Sequence, residues 1–197
     1  MGVYLVSVTA RDWSEPGEDG YGDVAAALNT ELRRRGLPPY APRAAAVRGA
    51  RGWFEEKISP SMDGFTALCR AHLTGAESSA LLDWSVLVPL PLEEEIVLPV
   101  ATAYTGDETS VAGAARVLAL AERLAGAVAL PLDALPAGEN LALSLWFMEE
   151  FKGGGARKAA EARPGPWADD PDAAFYVALY LRAAQYSLRH GCPMTYV

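Results

Sequence analysis

The sequence predicts a single α+β domain over residues 1–197, a mixed β-sheet flanked by four to five helices. Three observations predict it. Val3 to Thr9 (VYLVSVT) is a short run rich in β-branched and aromatic residues, the composition of an N-terminal strand. Trp84 to Leu92 and Glu95 to Tyr104 are apolar runs separated by Glu93 and Glu94, the pattern of a central β-hairpin. Asp170 to Gly191 holds a helix start, an apolar stripe at helical spacing and a helix stop in one segment.

The N-terminal run is apolar almost throughout, which places its strand inside the sheet. Asp12 to Gly22 reads as an acidic loop. A helix follows from Asp23, with Val24, Leu28 and Leu32 on one stripe. Arg33 to Arg35 suit the C-terminal end of its dipole, and Gly36 stops it. Tyr40 to Gly52 has no period and reads as a long connection; Trp53 to Ile58 is short and extended. The second helix, Asp63 to Leu73, carries Phe65, Leu68, Cys69, His72 and Leu73 on one face. Thr74-Gly-Ala-Glu77 is a capping box that opens a short helix through Leu82.

Within the hairpin, Pro89, Pro91 and Pro99 each lack a ladder donor, so part of it lies at an edge or is bulged. Ser110 is the expected N-cap of an Ala/Leu-rich helix reaching Ala129. Leu141 to Met148 (LALSLWFM) alternates weakly and reads as a strand, with Asn140 as a helix cap in the alternative. Gly153 to Gly155 break the chain before a short charged helix, Ala156 to Ala162. In the last helix Asp170 is the N-cap, Pro171 the first position and Gly191 the stop, with Val177, Leu181, Ala184 and Leu188 inward. Met194 to Val197 forms a final short strand.

The chain has 197 residues, 51% hydrophobic and 21% charged. A domain of this length buries roughly 70% of its unfolded surface, so neither a metal nor disulfides are needed for folding. Two cysteines make no disulfide framework. A net charge of −8 argues against nucleic acid and anionic membranes as partners. The charge is uneven. Basic residues gather between Thr30 and Lys57, whereas acid gathers at Asp12–Asp23, Glu93–Glu95, Asp107–Glu108 and Asp169–Asp172. No apolar run approaches the roughly 20 residues of a membrane helix, and no basic, then apolar leader stands at the start. Met1-Gly2 is followed by Val6 where myristoylation needs Ser or Thr. A cytoplasmic protein with reduced thiols is expected.

Both cysteines and both histidines fall into two pairs, Cys69 with His72 and His190 with Cys192. Four such ligands are the inventory of a tetrahedral zinc site, and zinc is the one cofactor the sequence offers. Against it, the spacing matches no standard zinc module. Cys69 lies on an apolar stripe, where cysteine serves as a small hydrophobe, and His190 suits a helix C-terminus through the dipole alone. A Cys–His catalytic dyad is disfavoured, since neither cysteine sits where a helix dipole would lower its pKa. Lys152-Gly-Gly-Gly lacks the Walker A order, and no G-x-S-x-G supplies a nucleophile. No spacing of carboxylates assigns an acid and a base. Aromatics crowd the last 31 residues. Trp167, Tyr176 and Tyr180, with Asp169 and Asp172, are the candidate partner-binding surface, core packing being the alternative.

The stretches MGVYLVSV, ELRRRGLPPY, MDGFTALCRAHL and DAAFYVALYLRAAQYSLRHGCP resemble a family of uncharacterised proteins from high-GC actinobacteria. The Ala/Arg/Gly bias agrees with that source. The resemblance spans nearly the whole chain and implies no activity, ligand or catalytic residue. The functional expectation therefore rests on the residues: an acidic binding or regulatory module, of the immunity type, that recognises a basic protein partner. The alternative is a small-molecule enzyme or zinc-binding protein that uses the Cys/His pairs.

Overall fold

A computed structural model of the chain describes residues 2–43, 53–137, 140–148 and 154–197. Strand β1 (Val3–Ser7) is followed by α1 (Ala10–Ser14), α2 (Tyr21–Arg34), β2 (Glu55–Ile58), α3 (Asp63–His72) and α4 (Gly75–Leu82). Then come β3 (Val86–Val88), β4 (Ile96–Leu98), β5 (Thr109–Gly113) and α5 (Ala114–Ala127). Helices α6 (Ala142–Phe147), α7 (Gly155–Ala162), α8 (Pro166–Asp169) and α9 (Pro171–His190) precede β6 (Met194–Tyr196). This is the α+β class the sequence predicts. Nine helices among the described residues replace the expected four to five, because short turns of helix occupy several segments read as connections, α1 among them.

The six strands form one mixed sheet in the order β2-β1-β6-β3-β5-β4. Only β3 and β5 run parallel; the other neighbours are antiparallel. Alternation sends Leu5, Leu87, Ala112 and Met194 to the face covered by α5 and α9. Val86, Val88 and Val111 point the other way, with Val8 beside them, onto Val24, Leu28 and Leu32 of α2. Both faces are covered, which is why these strands read as unbroken apolar runs.

Helix α9 is the centre of the larger core. No residue from Phe175 to Leu181 is more than 3% exposed, because α3, α5, α6 and α8 all pack on it. Its ends are as expected: Asp170 Oδ1 accepts the Ala173 N–H at 2.9 Å, and Gly191 adopts φ +67°, the left-handed stop glycine favours. The capping box at Thr74 and Glu77 also forms. Arg182 of α9 donates to the carbonyls of Leu132, Leu135 and Pro136 and ties down the chain beyond α5.

Three expectations are corrected. The Trp84–Tyr104 hairpin does not form, since β5 lies between β3 and β4 and pairs with both. Prolines 89, 91 and 99 strip donors from the flanks of β3 and β4, whereas Thr109–Gly113 has none and offers a full ladder on both edges. Ser110 is consequently a strand residue whose Oγ pairs with the Glu95 carboxylate, and Gly113 caps α5. A Cβ at Gly113 would lie 2.6 Å from Leu90 O, so glycine lets the β3–β4 connection pack on this junction.

Leu141–Met148 contains the helix α6, not a strand. The segment lacks β-branched residues and is rich in helix formers. Its free N-terminal donors are met from outside: Glu56 of β2 accepts Leu143 N–H and Ser144 N–H at 2.8 Å each, and Ser144 Oγ–H at 2.7 Å. Most of the Tyr40–Gly52 connection, and the Lys152-Gly153 start of the glycine run, lie outside the described residues. Among the described residues no helix is long and apolar enough to cross a membrane.

Candidate functional site

The four residues proposed as zinc ligands are not brought together. Among the described residues no group of three or more His, Cys, Asp or Glu is placed to hold a metal ion. The reason is where α3 crosses α9. Phe65 of α3 stacks on Tyr176 and Tyr180, with ring centroids 5.4 and 5.5 Å away. Cys69, one turn further along α3, packs in the same core. His190 lies ten residues beyond Tyr180 on α9, a rise of about 15 Å. His72 is exposed. His190 instead stacks on Tyr186 at 4.1 Å, and Cys192 is buried, its carbonyl accepting Ser187 Oγ–H at 2.7 Å.

Burial pushes the Cys69 thiol up to about 11 and the Cys192 thiol to about 12. Neither is poised as a thiolate nucleophile at neutral pH.

The proposed aromatic surface is also corrected. Trp167, Tyr176 and Tyr180 are 2%, 2% and 3% exposed, and each polar tip is satisfied inside the protein. Trp167 Nε1–H donates to Arg163 O at 3.1 Å, Tyr176 O–H to Pro60 O at 2.6 Å, and Tyr180 Oη accepts from Tyr196 at 3.0 Å. These rings are core because α3, α5, α6 and α8 pack around the first half of α9. Asp169 and Asp172 alone remain exposed.

A different acidic region has the features of a site. Ser7 ends β1, Trp53 precedes β2, Asp12 sits in the first turn of α1, and Asp19 precedes α2. These residues, with Tyr21 and Tyr104, line a small recess of about 30 Å³. It adjoins a shallower concavity of about 230 Å³ that shares Asp12, Asp19 and Tyr21 and adds Arg11 and Glu15. Ser7 and Trp53 are each 2% exposed, yet among the described residues Ser7 Oγ and Trp53 Nε1 have no hydrogen-bond partner. Buried polar groups are nearly always paired, so two orphans lining one recess mark a place that a polar guest would complete.

The rim is anionic. Arg11 is neutralised by Glu15 at 3.0 Å, while Asp12 and Asp19 are exposed and form no ion pair among the described residues. Thr9 Oγ1 caps α1 through the Asp12 N–H at 3.0 Å and so fixes the backbone from which that carboxylate projects. Gly20 has φ +79°, and a Cβ there would lie 2.8 Å from Ala101 O. Glycine thereby lets the α1–α2 loop close onto the β4–β5 loop, where Ala103 N–H bonds Asp19 O at 3.2 Å, and it keeps Asp19 beside Tyr104.

Sequence reasoning missed this recess because its residues come from five separate segments. One signal was present: a serine inside the apolar run of β1, where a buried hydroxyl needs a partner. Compared with protein-family models, curated proteins and solved structures, the chain matches none.

Proposed function

We propose that the protein is a cytoplasmic binding module that recognises a basic protein partner at this recess. A lysine or arginine of the partner enters the concavity between Asp12 and Asp19, and the polar groups beside it complete Ser7 and Trp53. The observation that carries the reading is a pair of buried groups, Ser7 Oγ and Trp53 Nε1, that have no partner among the described residues, at the foot of a rim with two carboxylates that form no ion pair among those residues. The indole can only donate and the hydroxyl can do both. The matching guest therefore offers an acceptor beside a cation, as a peptide carbonyl next to a basic side chain does. The net charge of −8 adds long-range attraction for such a partner, which salt screens beyond about 10 Å at 0.1 M.

The test is titration of the ¹⁵N-labelled protein with N-acetyl-arginine amide and N-acetyl-lysine amide at low salt, with N-acetyl-citrulline amide as the neutral control. The Trp53 indole N–H resonance is expected to shift with the two cations and much less with citrulline. An Asp12→Asn/Asp19→Asn double variant is expected to lose the response. A Trp53 resonance that no cation moves, or that citrulline moves equally, overturns the reading.

A further inference from the structure

A second concavity lies on the far side of β1 from α2, where α6 is held between the edge strand β2 and helices α7 to α9. Two cavities of about 390 and 410 Å³ meet there and share Phe147, Met148 and Pro171. The first is lined further by Pro60, Phe175 and Asp172, the second by Trp146 and Trp167. Each volume lies within the range of small-molecule sites. The walls are fixed by aromatic contacts. Phe147 meets Phe175 edge-on at 5.6 Å, and Trp146 stacks on Trp167 at 6.1 Å. The floor is fixed as well, because Glu56 and Ser144 lock the first turn of α6 to β2.

The polar groups of the first cavity define its guest. Ser144 Oγ is taken up by Glu56 and by the Lys57 backbone. Lys57 alternates with Glu56 on β2, and its Cε lies alongside Gly2, 3.1 Å from where a Cβ there would stand. Its aliphatic stem thus runs toward Gly2, just before β1. Ser59 and Asp172 remain, both exposed and, among the described residues, neither in a side-chain hydrogen bond or ion pair. Asp172 stands in the first turn of α9, at the mouth of an aromatic chamber. A carboxylate beside aromatic faces favours a cation carried on an apolar body, through charge on one side and ring quadrupoles on the other.

We infer that this chamber is a binding site for a small apolar amine, with its aromatic or branched aliphatic body among Phe147, Met148 and Phe175 and its ammonium against Asp172. The site is separate from the acidic recess, and it stands or falls independently of the function proposed there.

The experiment is calorimetric titration with three probes that share a phenylethyl body: 2-phenylethylamine, 2-phenylethanol and 3-phenylpropionate. The amine is expected to bind best and the carboxylate worst. An Asp172→Asn variant, changed at an exposed position, is expected to lose about three- to tenfold in amine affinity and to leave the alcohol unchanged. A Met148→Ala variant is expected to weaken amine and alcohol alike, and circular dichroism of each variant reports whether it folds. The inference is overturned if no probe binds at millimolar concentration, if the carboxylate binds as well as the amine, or if folded Asp172→Asn keeps the amine preference.

Discussion

Glu56 and Ser144, 88 positions apart, meet in the core: Glu56 Oε2 accepts both the Oγ–H and the backbone N–H of Ser144, at 2.7 and 2.8 Å. A strand side chain thereby caps a helix that has no cap of its own, since Leu141 at the cap position offers no acceptor. Glu56 is fully buried. Truncation to alanine would leave the two backbone N–H groups of Leu143 and Ser144 buried without acceptors, at about 1–3 kcal/mol each. Glu56→Ala is expected to lower the unfolding free energy by about 3 kcal/mol in urea denaturation, and Glu56→Gln by less, because one amide oxygen still accepts.

The same carboxyl makes stability depend on pH in a defined direction. Burial pushes Glu56 above the usual carboxylate range, and the N–H groups of Leu143 and Ser144 and the Ser144 hydroxyl pull only part of the way back. Between the unfolded value and the raised native one, the native state holds a proton that the unfolded chain has released. The contribution is therefore fully present below the unfolded value and lost as pH rises through the native one. Unfolding measured from about pH 4 to about pH 8 is expected to show this fall in the wild type and not in Glu56→Gln. Parallel profiles for the two proteins would refute the assignment.

The parts of the fold legible in the sequence are those set by residues close along the chain. Thr74 with Glu77, and Asp170 with Pro171 and Gly191, each satisfy helix-end groups within a few residues, so their signals stand in a short window. What was not legible depends on pairing at a distance. Nothing local tells that Thr109–Gly113 seats itself between Val86–Val88 and Ile96–Leu98, or that Glu56 turns LALSLWFM into a helix. The candidate recess has the same character. Ser7, Asp12, Asp19 and Trp53 carry no shared spacing and are joined only by the sheet and by the close approach at Gly20.

The cysteines give a direct test of the metal reading. With thiols pushed to about 11 and about 12 by burial, each is a thiolate in well under one molecule in a thousand at pH 7. Both are fully enclosed. A water-soluble disulfide reagent is expected to label neither in the native protein and both after denaturation. Chelation is expected to leave the melting temperature unchanged. A chelator that lowers it would restore the zinc site.

Tyr176 separates a core role from a surface role. Its ring stacks on Phe65 and its hydroxyl donates to Pro60 O. Tyr176→Phe removes one buried hydrogen bond and is expected to cost about 1–2 kcal/mol, and Tyr176→Ala about 3–5 kcal/mol. Denaturant midpoints check both. If Tyr176→Ala were as stable as wild type, the aromatic cluster would not be the core it is described as.

Two glycines should respond oppositely to the same substitution. Gly126 lies near the end of α5, where an added Cβ meets nothing within 4 Å. Alanine there gains helix propensity, and Gly126→Ala is expected to stabilise by about 0.5–1 kcal/mol. Gly155 begins α7, and by propensity alone it would gain likewise. Its Cβ, however, would overlap Trp146 Cδ1 and Nε1, closer than non-bonded heavy atoms approach. The indole would have to leave its place against Trp167, where it walls the second of the two adjoining cavities. Gly155→Ala is expected to destabilise by about 1–3 kcal/mol, and the tryptophan emission is expected to shift to the red as Trp146 moves into water. Thermal melts of the two variants beside the wild type decide the matter. Equal and positive shifts would mean that Trp146 does not pack over α7.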